Sequence, residues 1–264
     1  MTEFCTLSSG SSGNCAFGRV GNFSFLVDVG ISCRAVVNSL GCIGADPGEL
    51  GGIFITHEHV DHIRGLRVLL KRIHVPIYAS SEVLDYLWEH DLAGCQSPMI
   101  PISPQHPVEF DGGVVRCFDT PHDSVHSLGF RIETHSGVRL GIATDLGFIS
   151  DTVRENLDGC QMVLLESNYD LSMLQTGRYP YPLKRRIMGQ RGHLCNDECA
   201  KELAQLIERG TSHILLGHIS AENNHPQLAY QTAVCALAGE GKQVDRDYVL
   251  QPAPRYEHSQ MFRL

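Results

Sequence analysis

The chain has 264 residues, 42% of them hydrophobic, and a formal charge of −9 at pH 7. That is enough to bury one large core, and no low-complexity linker divides it, so a single domain over residues 1–264 is expected. The opening MTEFCTLSSGSSGNC has no basic or apolar export region, and no run approaches the roughly 18 apolar residues of a membrane span, so a cytoplasmic protein with no membrane partner is expected. The negative charge speaks against a protein that coats nucleic acid, since non-specific binding is driven by release of counterions from phosphates. Ten scattered cysteines without CxxC pairs read as reduced, buried small hydrophobes rather than disulfides.

In chain order, a strand is expected at 4–7, followed by SSGSSGNC at residues 8–15. Glycines among small hydroxylic residues let a backbone approach a ligand closely, and exposed N–H groups in such a loop can cradle an anion. Ser11, Gly13 and Asn14 are therefore candidate substrate contacts, with a plain hairpin turn as the alternative. A strand at 23–29 carries Asp28, expected to be structural or beside a site, and a helix follows at 32–40. Further strands are expected at 53–56, 75–78, 114–118, 129–133, 139–144, 162–166 and 214–217, with a helix at 80–90. The clearest helix is 197–209: Asn196 can cap it, Asp197 and Glu198 suit its first turn, and Gly210 ends it. Its Ala200, Leu203, Ala204 and Ile207 follow the i, i+3, i+4, i+7 pattern of a face laid on a sheet. The alternation predicts an α/β architecture of two sheets flanked by helices.

Chemistry concentrates after the apolar strand GGIFIT, where HEHVDH occupies residues 57–62. The ends of strands are where open α/β folds place ligands. These side chains cannot all point one way from a strand or a helix, so a tight loop is expected, with His57 and His59 turned to one centre and Asp61 and His62 to another. Neutral imidazole and carboxylate suit zinc, iron or manganese. Two later strands end in ligand-type residues: RLGIATD in Asp145, an acid costly to bury unless paired or metal-bound, and HILLGH in His218. TPHDSVHSLGF offers His122 and His126. The stretch RYPYPLKRRIMGQR, residues 178–191, holds five basic residues, no acidic one, and two tyrosines beside prolines. It reads as a solvated basic loop or as a phosphate-facing flap with aromatic platforms, with Lys184, Arg185, Arg186 and Arg191 as candidate contacts. Cys195 and Cys199 share a helix face but make a weak metal claim without further thiols.

HEHVDH is the HxHxDH signature of the metallo-β-lactamase fold, and the resemblance covers nearly the whole chain. It implies an αββα sandwich with a binuclear metal site at the sheet edge, two divalent ions, Zn or Mn with Fe less expected. It further implies that His57, His59 and His122 hold one ion, that Asp61, His62 and His218 hold the other, and that Asp145 bridges them. Glu58 would orient a ligand histidine. The segment RGHLCNDECAKELAQL followed by LLGH resembles nucleases of this fold, in which His193 would contact the scissile phosphate. The ordered set SSGSSGNC, THEHVDHIRG, LLESNYDLSML, RYPYPLKRRI, RGHLCN and LGHISAENN closely resembles the YycJ/WalJ group of bacterial exonucleases, with Asn168-Tyr169-Asp170 where that group leads one to expect NHD.

That resemblance implies a 5′-to-3′ DNA exonuclease that acts on duplex ends or single strands and works alongside DNA-repair proteins. The implied mechanism is attack by a hydroxide shared between two cations about 3.5–4 Å apart, with Asp61 orienting the nucleophile and His193 stabilising phosphoryl oxygens. Competing readings are a small-molecule hydrolase of a thioester, lactone or cyclic phosphodiester, an iron redox protein, and a non-enzymatic DNA-binding regulator.

Overall fold

The computed structural model describes residues 1–94 and 96–264. Its first half contains β1 (Thr2–Ser8), β2 (Cys15–Val20), β3 (Phe23–Val27), α1 (Cys33–Cys42), β4 (Leu50–Phe54), α2 (Val60–Ile63), α3 (Leu66–Leu69), β5 (Ile77–Ala79), α4 (Ser81–Glu89) and β6 (Met99–Pro101). The second contains β7 (Val108–Phe110), β8 (Gly113–Asp119), β9 (Leu128–Thr134), β10 (Arg139–Ala143), α5 (Asp151–Leu157), β11 (Met162–Glu166), α6 (Leu171–Thr176), α7 (Tyr181–Ile187), α8 (Asn196–Glu208), β12 (His213–Gly217), α9 (Pro226–Gly239) and β13 (Val249–Pro252). The final strand, β14 (Phe262–Arg263), returns to pair with β1.

Among the described residues the strands form two seven-stranded sheets, ordered β14-β1-β2-β3-β4-β5-β6 and β13-β12-β11-β10-β9-β8-β7. Each sheet has an antiparallel half built from hairpins and a parallel half built from crossovers. The parallel strands are covered on both faces, which is why β11 (MVLLE) and most of β12 (HILLG) are buried runs rather than alternating ones.

Three apolar clusters stack the layers. Phe25, Phe54 and Phe130 meet between the sheets, with the Phe54 and Phe130 rings edge-on at 5.6 Å. Val36, Leu66 and Leu87 bury α1, α3 and α4 against the first sheet. Leu157, Leu203 and Leu237 do the same for α5, α8 and α9 on the second. The result is the expected αββα sandwich, and among the described residues no helix is long and apolar enough to cross a membrane.

Local chemistry explains the helix starts. Ser32 and Ser80 accept N–H groups of Ala35 and Val83 and cap α1 and α4. The cap of α8 is Cys195 rather than Asn196. The Asn196 side chain is instead recruited into the interior, where its Oδ1 accepts from Ser167 Oγ at 2.7 Å and from Asn224 Nδ2 at 2.9 Å. The basic stretch contains a helix, α7, started by Pro180 at its N-cap and Pro182 in its first turn.

The candidate metal centre

The HEHVDH loop leaves the end of β4 and closes into α2, and backbone contacts lock its shape. Asn14 N–H donates to the Asp61 carbonyl at 2.8 Å, Val29 N–H to that of His62 at 2.7 Å, and Gly65 N–H to that of Val29 at 2.8 Å. A Cβ on Gly30 would lie 1.6 Å from the Asp61 carbonyl oxygen, so only glycine permits this approach.

Thr56 organises the first ring positions. Its N–H donates to Asp28 Oδ1 at 2.8 Å and its hydroxyl to Asp28 Oδ2 at 2.9 Å. With the hydroxyl proton committed there, Thr56 Oγ1 accepts from His57 Nδ1 at 3.0 Å. His62 Nδ1 donates to Asp28 Oδ2 at 2.8 Å, His122 Nδ1 to the Gly192 carbonyl at 3.0 Å, and His218 Nδ1 to Glu166 Oε1 at 2.9 Å. In all four rings Nδ1 is therefore held by the fold and Nε2 is left for another partner, the arrangement by which outer oxygens fix ligand tautomers. His59 is turned the other way, its Nδ1 3.3 Å from His122 Nε2.

Donor atoms of His57, His59 and His122 lie within 4.8 Å of one another, as do those of Asp61, His62 and His218. Asp145 joins His57 and His62 in a third such group, its Oδ2 3.3 Å from His62 Nε2. The three groups bring together every histidine and aspartate expected as a ligand. Buried His57 Nε2, His218 Nε2 and Asp145 Oδ2 have no hydrogen-bond partner among the described residues. Orphaned polar atoms at this depth are costly, and imidazole nitrogens converging on carboxylate oxygens are the donor set a divalent cation satisfies, so the residues present fit such an ion.

Backbone conformation follows the same purpose. Asp28, Asp145 and His218 have φ of 63°, 59° and 50°, the left-handed region that non-glycine residues seldom occupy. Each stands within two residues of a strand end, on β3, β10 and β12 respectively, and the reversal keeps its side chain at the mouth of the sheets. His218 is secured there by its N–H, which donates to Ser9 Oγ at 2.8 Å.

Electrostatics divide the rings. Burial and the neighbouring His62 hold His57 well below the ordinary histidine range, and burial lowers His122. For His62 burial acts downward, but the Asp145 and Asp28 carboxylates outweigh it and raise the ring well above 6.5. His218 is likewise pushed up to about 10 by Asp145, Asp61 and Glu166 against the effect of burial. Asp145, whose burial alone would favour the neutral acid, is held well below the usual carboxylate range by His218 and His62.

Glu166 was not among the expected site residues. It is fully buried at the end of β11; its Oε1 accepts from His193 Nδ1 at 2.8 Å and His218 Nδ1 at 2.9 Å, and its Oε2 from the N–H groups of Leu146 at 2.6 Å and Leu194 at 3.2 Å. The available signal was the one that pointed to Asp145: an acid closing a buried strand. Burial acts to raise Glu166, but His193 and His218 keep it below the usual range. Held through Nδ1, His193 is partly exposed and lines a cleft of about 190 Å3 with Ser11, Asn168, Ser220 and Arg186.

The remaining expectations divide. Ser11 reaches the cleft, whereas Asn14 lies beneath it, with Nδ2 3.1 Å from His62 Nε2 and Oδ1 accepting from Gly10 N–H at 2.9 Å. Gly13 closes the loop, its N–H donating to the Gly10 carbonyl at 2.9 Å. The Lys184 ammonium donates to the carbonyls of Gln175 and Gly177 at 2.8 and 2.7 Å. Arg186 pairs with Asp123, and Arg191 donates to the His122 carbonyl at 3.0 Å. Arg185 is exposed and has no ion-pair or hydrogen-bond partner among the described residues. Glu58 accepts from Val125 N–H at 3.0 Å and so anchors the loop that carries His122, rather than a histidine ring. His126 binds Glu82 and Asp119 outside the cluster, and His225 caps α9.

Comparison with known proteins agrees with this geometry. Residues 24–219 match the model of the β-lactamase superfamily domain. The chain is 33% identical over 240 residues to exodeoxyribonuclease YycJ of Bacillus anthracis, covering 90% of each chain. It is 32% identical over 244 residues to exodeoxyribonuclease WalJ of Streptococcus pneumoniae, covering 89% of this chain and 88% of that one. The crystal structure of the metallo-β-lactamase fold protein YhfI from Bacillus subtilis superposes with a TM-score of 0.75 at 15% identity, covering 98% of this chain and all of that one. By strand order, ligand cluster and sequence alike, the chain belongs to the β-lactamase superfamily.

Proposed function

We propose that the protein is a metal-dependent phosphodiester hydrolase, a DNA exonuclease that acts from 5′ to 3′ at duplex ends or on single strands as one domain over residues 1–264. The observation that carries this reading is the placement of His193, tied by Glu166 to His218, at the mouth of the donor cluster. The two exodeoxyribonuclease relatives, matched along about nine-tenths of their length, support DNA as the substrate. A cytoplasmic location and partnership with DNA-repair proteins follow from the same reading.

Two divalent cations, zinc or manganese by donor type, would be held by His57, His59 and His122 on one side and by Asp61, His62 and His218 on the other, with Asp145 between them. Bound there, they would supply positive charge for a phosphoryl oxygen and make a water nucleophile available near neutral pH. The chain's own residues do the rest. Thr56, Asp28, Glu166 and the Gly192 carbonyl hold the rings with Nε2 inward. Asp61, partly exposed beside His62 and His218, orients the attacking water. In its imidazolium form His193 would keep Nδ1–H on Glu166 and offer Nε2–H to a phosphoryl oxygen, where a pre-aimed donor acts on developing charge. Arg186, once released from Asp123, adds charge to the same cleft.

The test uses metal-analysed protein and end-labelled duplex DNA, with wild type, Asp61→Ala and His193→Ala compared. Mononucleotides released from the 5′ end by wild type and lost in both variants are expected. Intact DNA alongside hydrolysis of a thioester or a phosphodiester dye would replace this reading with a small-molecule hydrolase.

A further inference from the structure

The cleft beside His193 is lined by two unlike kinds of side chain. Ser11, Asn168 and Ser220 contribute polar lining, while Tyr179, Leu183 and Ile187 contribute apolar lining. At about 190 Å3 the space is below the roughly 300–1,000 Å3 of sites for drug-sized ligands. It suits one small ligand with a polar and an apolar part, a single base better than a base pair.

Tyr179 is held in place with unusual care for a residue between two helices. Pro180 follows it and restricts it to an extended conformation. The Lys184 ammonium ties down the carbonyls of Gln175 and Gly177 just before it. Gly177 is packed so closely that a Cβ there would stand 2.7 Å from the Met173 carbonyl oxygen and 2.9 Å from Asn223 Oδ1. By contrast Tyr181, two residues on, is 70% exposed and is not among the residues lining this cleft. The basic stretch therefore spends its lysine on fixing the backbone that leads to Tyr179. A rigid aromatic wall beside phosphate-binding groups is how sequence-tolerant nucleic-acid sites hold an unpaired base.

We infer that the cleft is a subsite for the single terminal nucleotide of the strand, with its base stacked on Tyr179 and the phosphodiester that joins it to the next nucleotide toward His193 and Arg186. The inference rests on the phosphodiesterase reading above, and makes Tyr179 the residue that recognises a nucleoside as opposed to a bare phosphate ester. A base can enter only when unpaired, so a duplex end must fray before its last nucleotide is seated.

Binding of thymidine 5′-monophosphate and of 2-deoxyribose 5-phosphate to metal-loaded protein, measured by calorimetry, isolates the base, because both ligands carry the same phosphate. Wild type should prefer the nucleotide by roughly five- to a hundred-fold, the range of base–aromatic stacking. Tyr179→Ala should erase that preference, while Tyr179→Phe and Tyr181→Ala keep it. An equal affinity for both ligands in wild type, or a preference that survives Tyr179→Ala, overturns the subsite. A Tyr179-dependent preference in a protein that leaves DNA ends intact would uphold the subsite and remove the nuclease reading instead.

Discussion

At the metal centre and on α7 the chain places polar groups around one cleft, but it uses them differently. The rings of His57, His62, His122 and His218 each have one nitrogen held by an oxygen of the fold and the other directed at the cluster. On α7 and the residues after it, Lys184 and Arg191 give their charge to backbone carbonyls and Arg186 to Asp123. The buried cluster has its tautomers fixed before any ligand arrives. The basic segment is mainly a brace for other residues, leaving Arg178 and Arg185 as its cations without a partner among the described residues. Proximity in sequence thus means direct chemistry in one region and support in the other.

The comparison breaks first at its strongest point. Asp145→Ala, and equally Asp61→Ala, should lower DNA hydrolysis by more than about 100-fold, beyond the 10- to 100-fold usual for outer partners of a metal site. Metal content measured on the same preparations shows whether the loss comes with loss of an ion. Glu166→Gln should fall within that 10- to 100-fold range, because it disturbs His193 and His218 through their Nδ1 atoms and leaves their Nε2 atoms in place. A variant with wild-type kcat/KM would show that the two rings need no common anchor.

On α7 the same logic predicts smaller effects of a different kind. If Arg185 meets the DNA backbone, Arg185→Ala should reduce the slope of log K against log salt by about 1, the contribution of one phosphate contact. Lys184→Ala should leave that slope unchanged and lower the Tm, since its ammonium serves carbonyls. Exchanged results would make the brace a phosphate contact and restore the flap read from sequence.

Why one region was legible and the other was not has a physical basis. HEHVDH lists its ligands within six residues, and Asp145 and His218 end apolar strands, so residue type and position carried the message. The αββα layers were legible because buried strands such as β11 and helices such as α8 have clean periodicities. Short strands β6, β7 and β14, of two or three residues, have no period to detect and exist through their neighbours. The α9 sequence PQLAYQTAVCALAG is apolar around much of its circumference, so no face announces it. Glu166 was hidden in plain view because an acid ending a strand does not say which rings it will meet. The bonds of Lys184 depend on where Gln175 and Gly177 fold back, a tertiary fact absent from local composition.

The smallest expected effect lies at the edge of the cluster and sharpens the contrast between held and unheld histidines. His126 follows His122 by four residues, yet both its nitrogens meet carboxylates, Asp119 Oδ1 at 2.8 Å and Glu82 Oε2 at 3.0 Å. Burial acts to lower this ring, but the two acids raise it above its ordinary 6.5. A raised folded-state value means stability that is fully present below pH 6.5 and is lost as the pH climbs through the folded value. His126 is a third exposed and both its acids are more than half exposed, so solvent screening limits the gain to below about 1 kcal/mol, or on the order of 2 °C in Tm. The Tm difference between metal-loaded wild type and His126→Gln should therefore be greatest under pH 6.5 and shrink toward alkaline pH. A difference that stays constant across that range would mean that His126 holds its loop by shape, not by charge.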